Sequence, residues 1–312
     1  MQSTPMTQSS PPTPAKAGTS PQRWKHWAED RLSAVLLGAA RVLPYRQRIA
    51  VLGWVGANII GPIAGLRPRI RANLALIAPD LPEHDIRRLC RSVPGNMARA
   101  LAETFAGQDF IDHVKDSPIE GGGLAALEQA RDTGQPVVLV TAHLGNYEAA
   151  RIVLQERGCK IAGIYMPMRN EAFNARYVAA MSRIGTPVFP RNRTGLAGLL
   201  KFLRRGGMIG LVADHYMDHG ELMDFMGQPA RTALSSAEIA LKQGALLVPV
   251  YGIRQPDGIS FRVRVEPPVP HSDPATMTRA LNASVEALVR THMDQWMWSH
   301  KRWKKNKRPT KT

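Results

Sequence analysis

Acidic side chains are scarce: 25 Asp and Glu stand against 41 Lys and Arg, a formal net charge of +16. The isoelectric point is about 10.4. That balance points to anionic partners, namely nucleic acid, anionic lipid or an acidic protein. Cysteine is nearly absent. Cys90 and Cys159 lie far apart without metal-ligand spacing, which excludes a disulfide scaffold and fits a reducing compartment. No Ser or Cys sits in a nucleophile-elbow pattern. The cluster Gly121–Gly123 lacks the Lys and Ser/Thr of a phosphate-binding P-loop, so it reads as an entry to the helix Leu124–Arg131. No apolar core follows a basic start closely enough to make a cleavable signal peptide. What is present is 312 residues with 44% hydrophobic content, enough for one large domain or two small ones with a real core.

The stretch that organises the chain is P-V-V-L-V-T-A-H-L-G-N-Y-E, Pro136–Glu148. Val137–Val140 reads as a buried strand bounded by Gly134 and Pro136. From Asn146 to Gly158 the residues suit a helix, with Asn146 as N-cap and Gly158 as stop. His143 therefore falls at the carboxyl end of a strand and Glu148 in the first turn of the next helix, where open α/β sheets bind ligands. On one helix, five residues turn through about 500°, so the two side chains would face apart. They meet only if Leu144–Asn146 forms a turn, which Gly145 permits. A carboxylate on one ring nitrogen fixes the tautomer and makes the other nitrogen a base. The alternative is a satisfied strand-end histidine, with Glu148 complementing the helix dipole.

Residues 1–22 are rich in Pro, Ser and Thr and read as a disordered tail. Trp24 and Trp27 among basic residues suit a membrane interface. Ile49–Leu66 carries no charge but several glycines and a proline, which leaves a spanning helix, an interfacial hairpin or a core helix. Residues 23–70 are thus expected to form a membrane-associated segment. Leu89–Phe105 reads as helical, interrupted at Pro94-Gly95. Strands are expected at Lys160–Met166, Thr186–Pro190, Met208–Ala213, Leu246–Tyr251 and Ile259–Val265. Helices are expected at Glu171–Ile184, Leu196–Arg205, Ser235–Gln243 and Met277–His292, with Ser235 and Glu238 placed as a capping box. His215, Asp218 and His219 could ligate a divalent cation, but their spacing matches no ligand signature, and no metal or cofactor is expected. The alternation implies an α/β domain over residues 71–304, with a central mixed, mostly parallel sheet flanked by helices. A basic tail, 305–312, closes the chain.

His143–Glu148 resembles the H-x-x-x-x-[D/E] motif of the glycerolipid acyltransferase superfamily. Five more blocks resemble one branch of it, the late acyltransferases of lipid A biosynthesis. R-I-R-A-N-L (Arg69–Leu74) is similar to that family's R-x-N-L, and Y-M-P-M-R-N (Tyr165–Asn170) to its Y-R-P-x-x-N. Met166 stands where that family has arginine, and Arg169 lies three residues later. Asp214-His215 is similar to its D-Q or D-H, and Asp224–Thr232 to its F-x-G-x-P-A-x-T. Trp298–Lys304 is similar to its W-x-H-R-R-[FW]-K.

The resemblance implies transfer of a fatty acyl group from an acyl-carrier-protein thioester to a hydroxyl of a lipid A precursor. His143 would be the general base and Glu148 its orienting carboxylate. Asn146, Arg169, Asn170, Arg193 and Asp214 become substrate-binding candidates, with a structural role for Asp214 left open. Expected partners are acyl carrier protein, an anionic glycolipid acceptor and a membrane surface, not nucleic acid. The expected place is the inner membrane, with the catalytic domain on its cytoplasmic side. Met217, Met223, Phe225 and Met226 offer either adaptable surface for a fatty chain or core packing. The C-terminal block reads as an aromatic and basic surface for anionic headgroups, an acidic carrier or, as its rival, nucleic acid. Lysophospholipid or another glycolipid is the alternative acceptor. A non-catalytic basic membrane- or nucleic-acid-binding protein is the alternative of a different class.

Overall fold

Alternate residues of Val137–Thr141 supply opposite faces of the molecule. Val137 and Leu139 pack with the helices Leu124–Thr133 and Tyr147–Glu156. Val138 and Val140 pack with Arg193–Arg204, Ser235–Gln243 and Pro274–Thr291. A strand buried on both faces in this way reads as a continuous apolar run, and parallel sheets carry such strands under two helical layers. The computed structural model describes residues 38–304, together with Arg31, Ala34 and Val35. The expected tails at 1–22 and 305–312 and the Trp24–Trp27 segment lie outside the described residues.

The strands are β1 (Ile119–Glu120), β2 (Val137–Thr141), β3 (Ile161–Tyr165), β4 (Val188–Pro190), β5 (Met208–Val212), β6 (Glu221–Phe225), β7 (Gln228–Thr232), β8 (Leu246–Arg254) and β9 (Phe261–Val265). Seven form one sheet in the order β1-β9-β8-β2-β5-β3-β4. Its pairs are parallel except β8 with β9. From β2 the chain goes outward to β3 and β4, returns to β5 between β2 and β3, and then crosses to β8 on the other side of β2. This reversal opens a crevice at the carboxyl end of β2. β6 and β7 form a separate antiparallel hairpin, where a loop was expected over Asp224–Thr232. It buries Met223, Phe225 and Met226, so these three serve the core.

Two local expectations fail for identifiable reasons. The helix Glu83–Ala106 runs unbroken through Pro94. Close packing there overrides the local penalty of about 3 kcal/mol for an interior proline. A Cβ at Gly56 would meet the Ala98 Cβ at 2.3 Å and the Pro94 carbonyl oxygen at 2.8 Å. The helix Ser235–Gln243 takes Leu234 as its N-cap residue and has no side-chain cap, so the expected capping box does not form.

The uncharged N-terminal run is a helix, Tyr45–Val55, a π-turn, Gly56–Ile60, and a short helix, Gly61–Ile63. Gly65, at φ +62°, then turns the chain into Leu66–Ile77. The two arms are bent by 88°. Among the described residues no single helix is long and apolar enough to cross a membrane. Ile49, Leu52, Gly53 and Gly56 face inward, while Val51, Trp54, Ile59, Ile60 and Ile63 are exposed.

Candidate active site

The site follows from strand register. β2 and β5 run parallel with Thr141 opposite Val212. Two residues further on, the same register sets His143 beside Asp214. Asp214 Oδ1 lies 2.7 Å from His143 Nδ1, and its Oδ2 accepts from the His143 backbone N–H at 2.9 Å. The Trp296 indole N–H donates to Oδ2 at 2.8 Å. Asp214 is 4% exposed. Burial alone would raise its carboxyl, but the charge on His143 and the bonds from it outweigh that and hold it well below the usual range. An ionised Asp214 holds the proton on Nδ1, so that the neutral His143 ring carries its lone pair on Nε2. The His143 side chain is half-buried, at 22% exposure, on the open edge of the sheet.

Three backbone links hold this turn. Asn146 N–H donates to the Gly252 carbonyl at 2.9 Å, Gly145 N–H to the Gln295 carbonyl at 3.2 Å, and Met297 N–H to the His143 carbonyl at 3.0 Å. Gly145 sits at φ +58°, and a Cβ there would meet the Gly252 carbonyl oxygen at 2.1 Å. Only glycine fits.

Glu148 takes a different partner from the expected one. Its carboxylate accepts from Arg151 Nε at 2.7 Å, one helical turn on. Arg151 continues to the carbonyls of Met181 at 3.0 Å and Gly185 at 3.2 Å. Glu148, 3% exposed, thus ties the helix Tyr147–Glu156 to Glu171–Ile184, and the carboxylate on the His143 ring is Asp214. The i,i+3 spacing within the helix favours Arg151 as its partner.

Asn146 is the expected N-cap, with Oδ1 accepting from the Glu148 N–H at 3.0 Å. Its Nδ2 donates to Glu103 at 2.8 Å, and Glu103, wholly buried, is held by both guanidinium nitrogens of Arg254. Both ends of the amide are engaged in structure, away from a substrate. Asn170 likewise caps its helix by accepting from Phe173 N–H at 3.1 Å. Arg169 is exposed on the turn after β3, and Arg193 is exposed at the first position of the helix after β4. Because β2 to β5 are parallel, both arginines lie along the carboxyl edge that carries His143.

The stacking of histidines in this site was not expected from the sequence. His215 stacks on His143 with centroids 3.9 Å apart and planes 10° apart, and His300 lies 3.8 Å beyond His215. Burial, then repulsion from His143, hold His215 down at about 3; burial also lowers His300. Ligand atoms of His143, Asp214 and His215 lie within 4.8 Å of one another. The stacked rings direct their lone pairs in parallel rather than toward one point, however, and Asp214 is already committed to hydrogen bonds, so this arrangement fits a cation poorly. Asp218 and His219 are exposed and outside this cluster.

The C-terminal block is a buried brace rather than a surface: Trp296 is 1% exposed, and Trp298 and Arg302 are fully enclosed. Arg302 donates to the Arg231 carbonyl and Thr232 Oγ1, both at 2.6 Å. Asn73 donates to the carbonyls of Trp298 at 2.6 Å and His300 at 2.8 Å. The R-x-N-L block therefore positions the C-terminal block, which positions Asp214. Tryptophan interleaved with Lys and Arg gives the composition of an interface, and only long-range pairing turns it inward.

A profile of the family described as "Bacterial lipid A biosynthesis acyltransferase" matches residues 15–305. The chain is 24% identical over 286 residues to a lipid A biosynthesis acyltransferase of Haemophilus influenzae, covering 89% of this chain and 87% of that one. It is 25% identical over 245 residues to the lipid A biosynthesis lauroyltransferase of Escherichia coli, covering 75% and 78%. It is also 25% identical over 240 residues to a phosphatidylinositol mannoside acyltransferase of Mycolicibacterium smegmatis, covering 75% and 79%.

Proposed function

The chain belongs to the bacterial lipid A biosynthesis acyltransferase family, which makes it an acyltransferase, and from that premise we propose how it works and on what. It moves a fatty acyl group from an acyl-carrier-protein thioester to a hydroxyl of a lipid A precursor. The observation that carries this reading is a histidine at the open sheet edge, with Nδ1 held by a buried carboxylate and Nε2 free. Nε2 takes the proton of the acceptor hydroxyl as its oxygen attacks the thioester carbonyl. Asp214 stabilises the imidazolium that forms. The tetrahedral intermediate collapses with cleavage of the C–S bond, and the imidazolium returns the proton to the leaving thiolate. General-base help of this kind contributes about 10²–10⁴-fold. With no nucleophile in an elbow, transfer is direct, without an acyl-enzyme.

Donor carrier and phosphorylated acceptor are both anionic, in keeping with a charge of +16 and with Arg169 and Arg193 along the carboxyl edge. The exposed run Val51, Trp54, Ile59, Ile60 and Ile63 supports seating on a membrane, and an acyl-carrier-protein donor would put that seat on the inner membrane with the catalytic domain on its cytoplasmic side. A mannoside or another glycolipid is the second acceptor reading, favoured by the similarity to the mycobacterial acyltransferase. Membership of an acyltransferase family sets aside the non-catalytic reading.

The test offers radiolabelled acyl–acyl carrier protein to solubilised protein, with lipid A precursor, lysophospholipid and mannosylated phosphatidylinositol supplied separately. Label reaching the lipid A precursor, and lost in His143→Ala, is the expected result. Label reaching only another lipid overturns the acceptor and keeps the chemistry.

A further inference from the structure

A groove of about 1130 Å³ lies between the N-terminal helix and π-turn, the helix Leu66–Ile77 and the helix Glu83–Ala106. Six guanidinium groups line it: Arg67, Arg71, Arg87, Arg88, Arg91 and Arg99. Glu83 engages Arg71 through two bonds of 2.7 Å, and Asp85 accepts from Arg88 at 2.9 Å. Among the described residues the other four make no ion pair. Three of these are held in place by neutral acceptors: Arg67 by the Ala57 carbonyl at 2.9 Å, Arg91 by Asn58 at 2.8 Å and Arg99 by Asn96 at 3.0 Å. Their charge is thus fixed in space and not neutralised. Burial, then repulsion from Arg254, hold the Arg99 guanidinium below its usual value.

Two buried polar atoms of lining side chains, Arg67 Nε and Ser92 Oγ, have no hydrogen-bond partner. Buried donors without acceptors are costly, and these two mark the wall of the groove as polar ground that the protein itself leaves unsatisfied. Planar guanidinium forks match phosphate geometry in particular. The groove also has an apolar margin, for Trp54 lines it and is 59% exposed, and the same turn exposes Ile59, Ile60 and Ile63.

We infer that this groove binds the phosphate of a net-anionic bilayer lipid headgroup, with the exposed apolar turn meeting the adjoining acyl region. Guanidiniums gathered in a concave groove beside an apolar margin match an amphipathic phosphate better than the carboxylates on the convex face of an acidic protein. The inference deepens the membrane seating proposed above by giving it a headgroup site, and it does not depend on the reaction.

The test measures partitioning of the full-length protein onto sedimenting vesicles at fixed ionic strength. One vesicle is phosphatidylcholine alone; the others carry phosphatidylglycerol or phosphatidic acid. Arg87→Gln/Arg91→Gln removes two groove charges. Lys201→Gln/Arg205→Gln removes two exposed charges from the region of the helix Arg193–Arg204. Thermal unfolding establishes that all three proteins are folded. The expected result is a tenfold loss of partitioning onto both anionic vesicles for the groove variant, with the control variant like wild type. Equal losses in the two variants mean diffuse electrostatics and overturn the site. Full binding by the groove variant overturns it too. Wild-type binding to phosphatidylcholine that matches the anionic vesicles keeps the membrane seating and removes the headgroup site. Loss of binding to acyl carrier protein by the groove variant, with vesicle binding intact, gives the groove to the carrier instead. Because no step requires turnover, failure of the proposed reaction leaves this test standing.

Discussion

Two buried carboxylates lie near His143 in different senses. Glu148 is five residues along the chain and completes the familiar spacing; Asp214 is 71 residues away. Glu148 sits at the start of a helix and pairs with Arg151 of that same helix. Asp214 sits past the end of a neighbouring strand and pairs with the imidazole. The difference teaches that a motif can place two residues correctly without making them partners. Sequence spacing delivers both to one turn, and parallel register decides which carboxylate meets the ring.

That contrast can be broken by substitution. The largest effect is expected from His143→Ala, which removes the base and lowers kcat/KM by about 10⁴-fold. Asp214→Asn keeps the size of the side chain, removes its charge and frees the tautomer, for an expected loss of about 10³-fold with the fold retained. Glu148→Gln is expected to act on stability instead. It leaves the Arg151 charge buried without its anion, which costs about 3 kcal/mol and is read as a fall in the unfolding midpoint. The folded fraction should keep its kcat/KM.

The two buried indoles sharpen the same point. Trp296→Phe removes one hydrogen bond to a charged group, about 1.5–3 kcal/mol, and should lower kcat about tenfold while leaving KM in place. Trp298→Phe removes a bond of 2.7 Å to the Met293 carbonyl and should leave kcat unchanged. Similar effects on kcat from both would reduce Trp296 to a packing residue.

The most gradual effect concerns pH. His215 is held at about 3 in the folded chain and reverts to about 6.5 on unfolding. Below 6.5 the unfolded chain binds the extra proton, so stability falls as pH drops from 6.5 toward 3, by at most about 1.4 kcal/mol per unit. Above 6.5 this group makes no difference. His215→Phe keeps the stack and should flatten that part of a plot of unfolding midpoint against pH.

Local signals carried much of the fold. The apolar run before His143, the cap at Asn146 and the helix Glu171–Ile184 all follow from nearest-neighbour chemistry. His143 and Asp214 were each legible as strand-end residues. Their pairing was not, because it depends on β2 and β5 being neighbours, and the chain between them forms two other strands of the sheet. The C-terminal tryptophans were misread for the same reason: their burial depends on Asn73, Asp214 and the β6–β7 hairpin, none of them local. The glycines of the N-terminal run were visible, but their use as close contacts with the Pro94–Arg99 stretch required the partner helix.

The most direct test of the His143–Asp214 pairing is nitrogen-15 NMR of histidine-labelled protein, read at the His143 ring. Wild type and Glu148→Gln should both show the proton on Nδ1 and a bare Nε2, and Asp214→Asn should show a mixture of the two tautomers. A ring that changes in Glu148→Gln and stays unchanged in Asp214→Asn would contradict this and return Glu148 to the role that its spacing suggests.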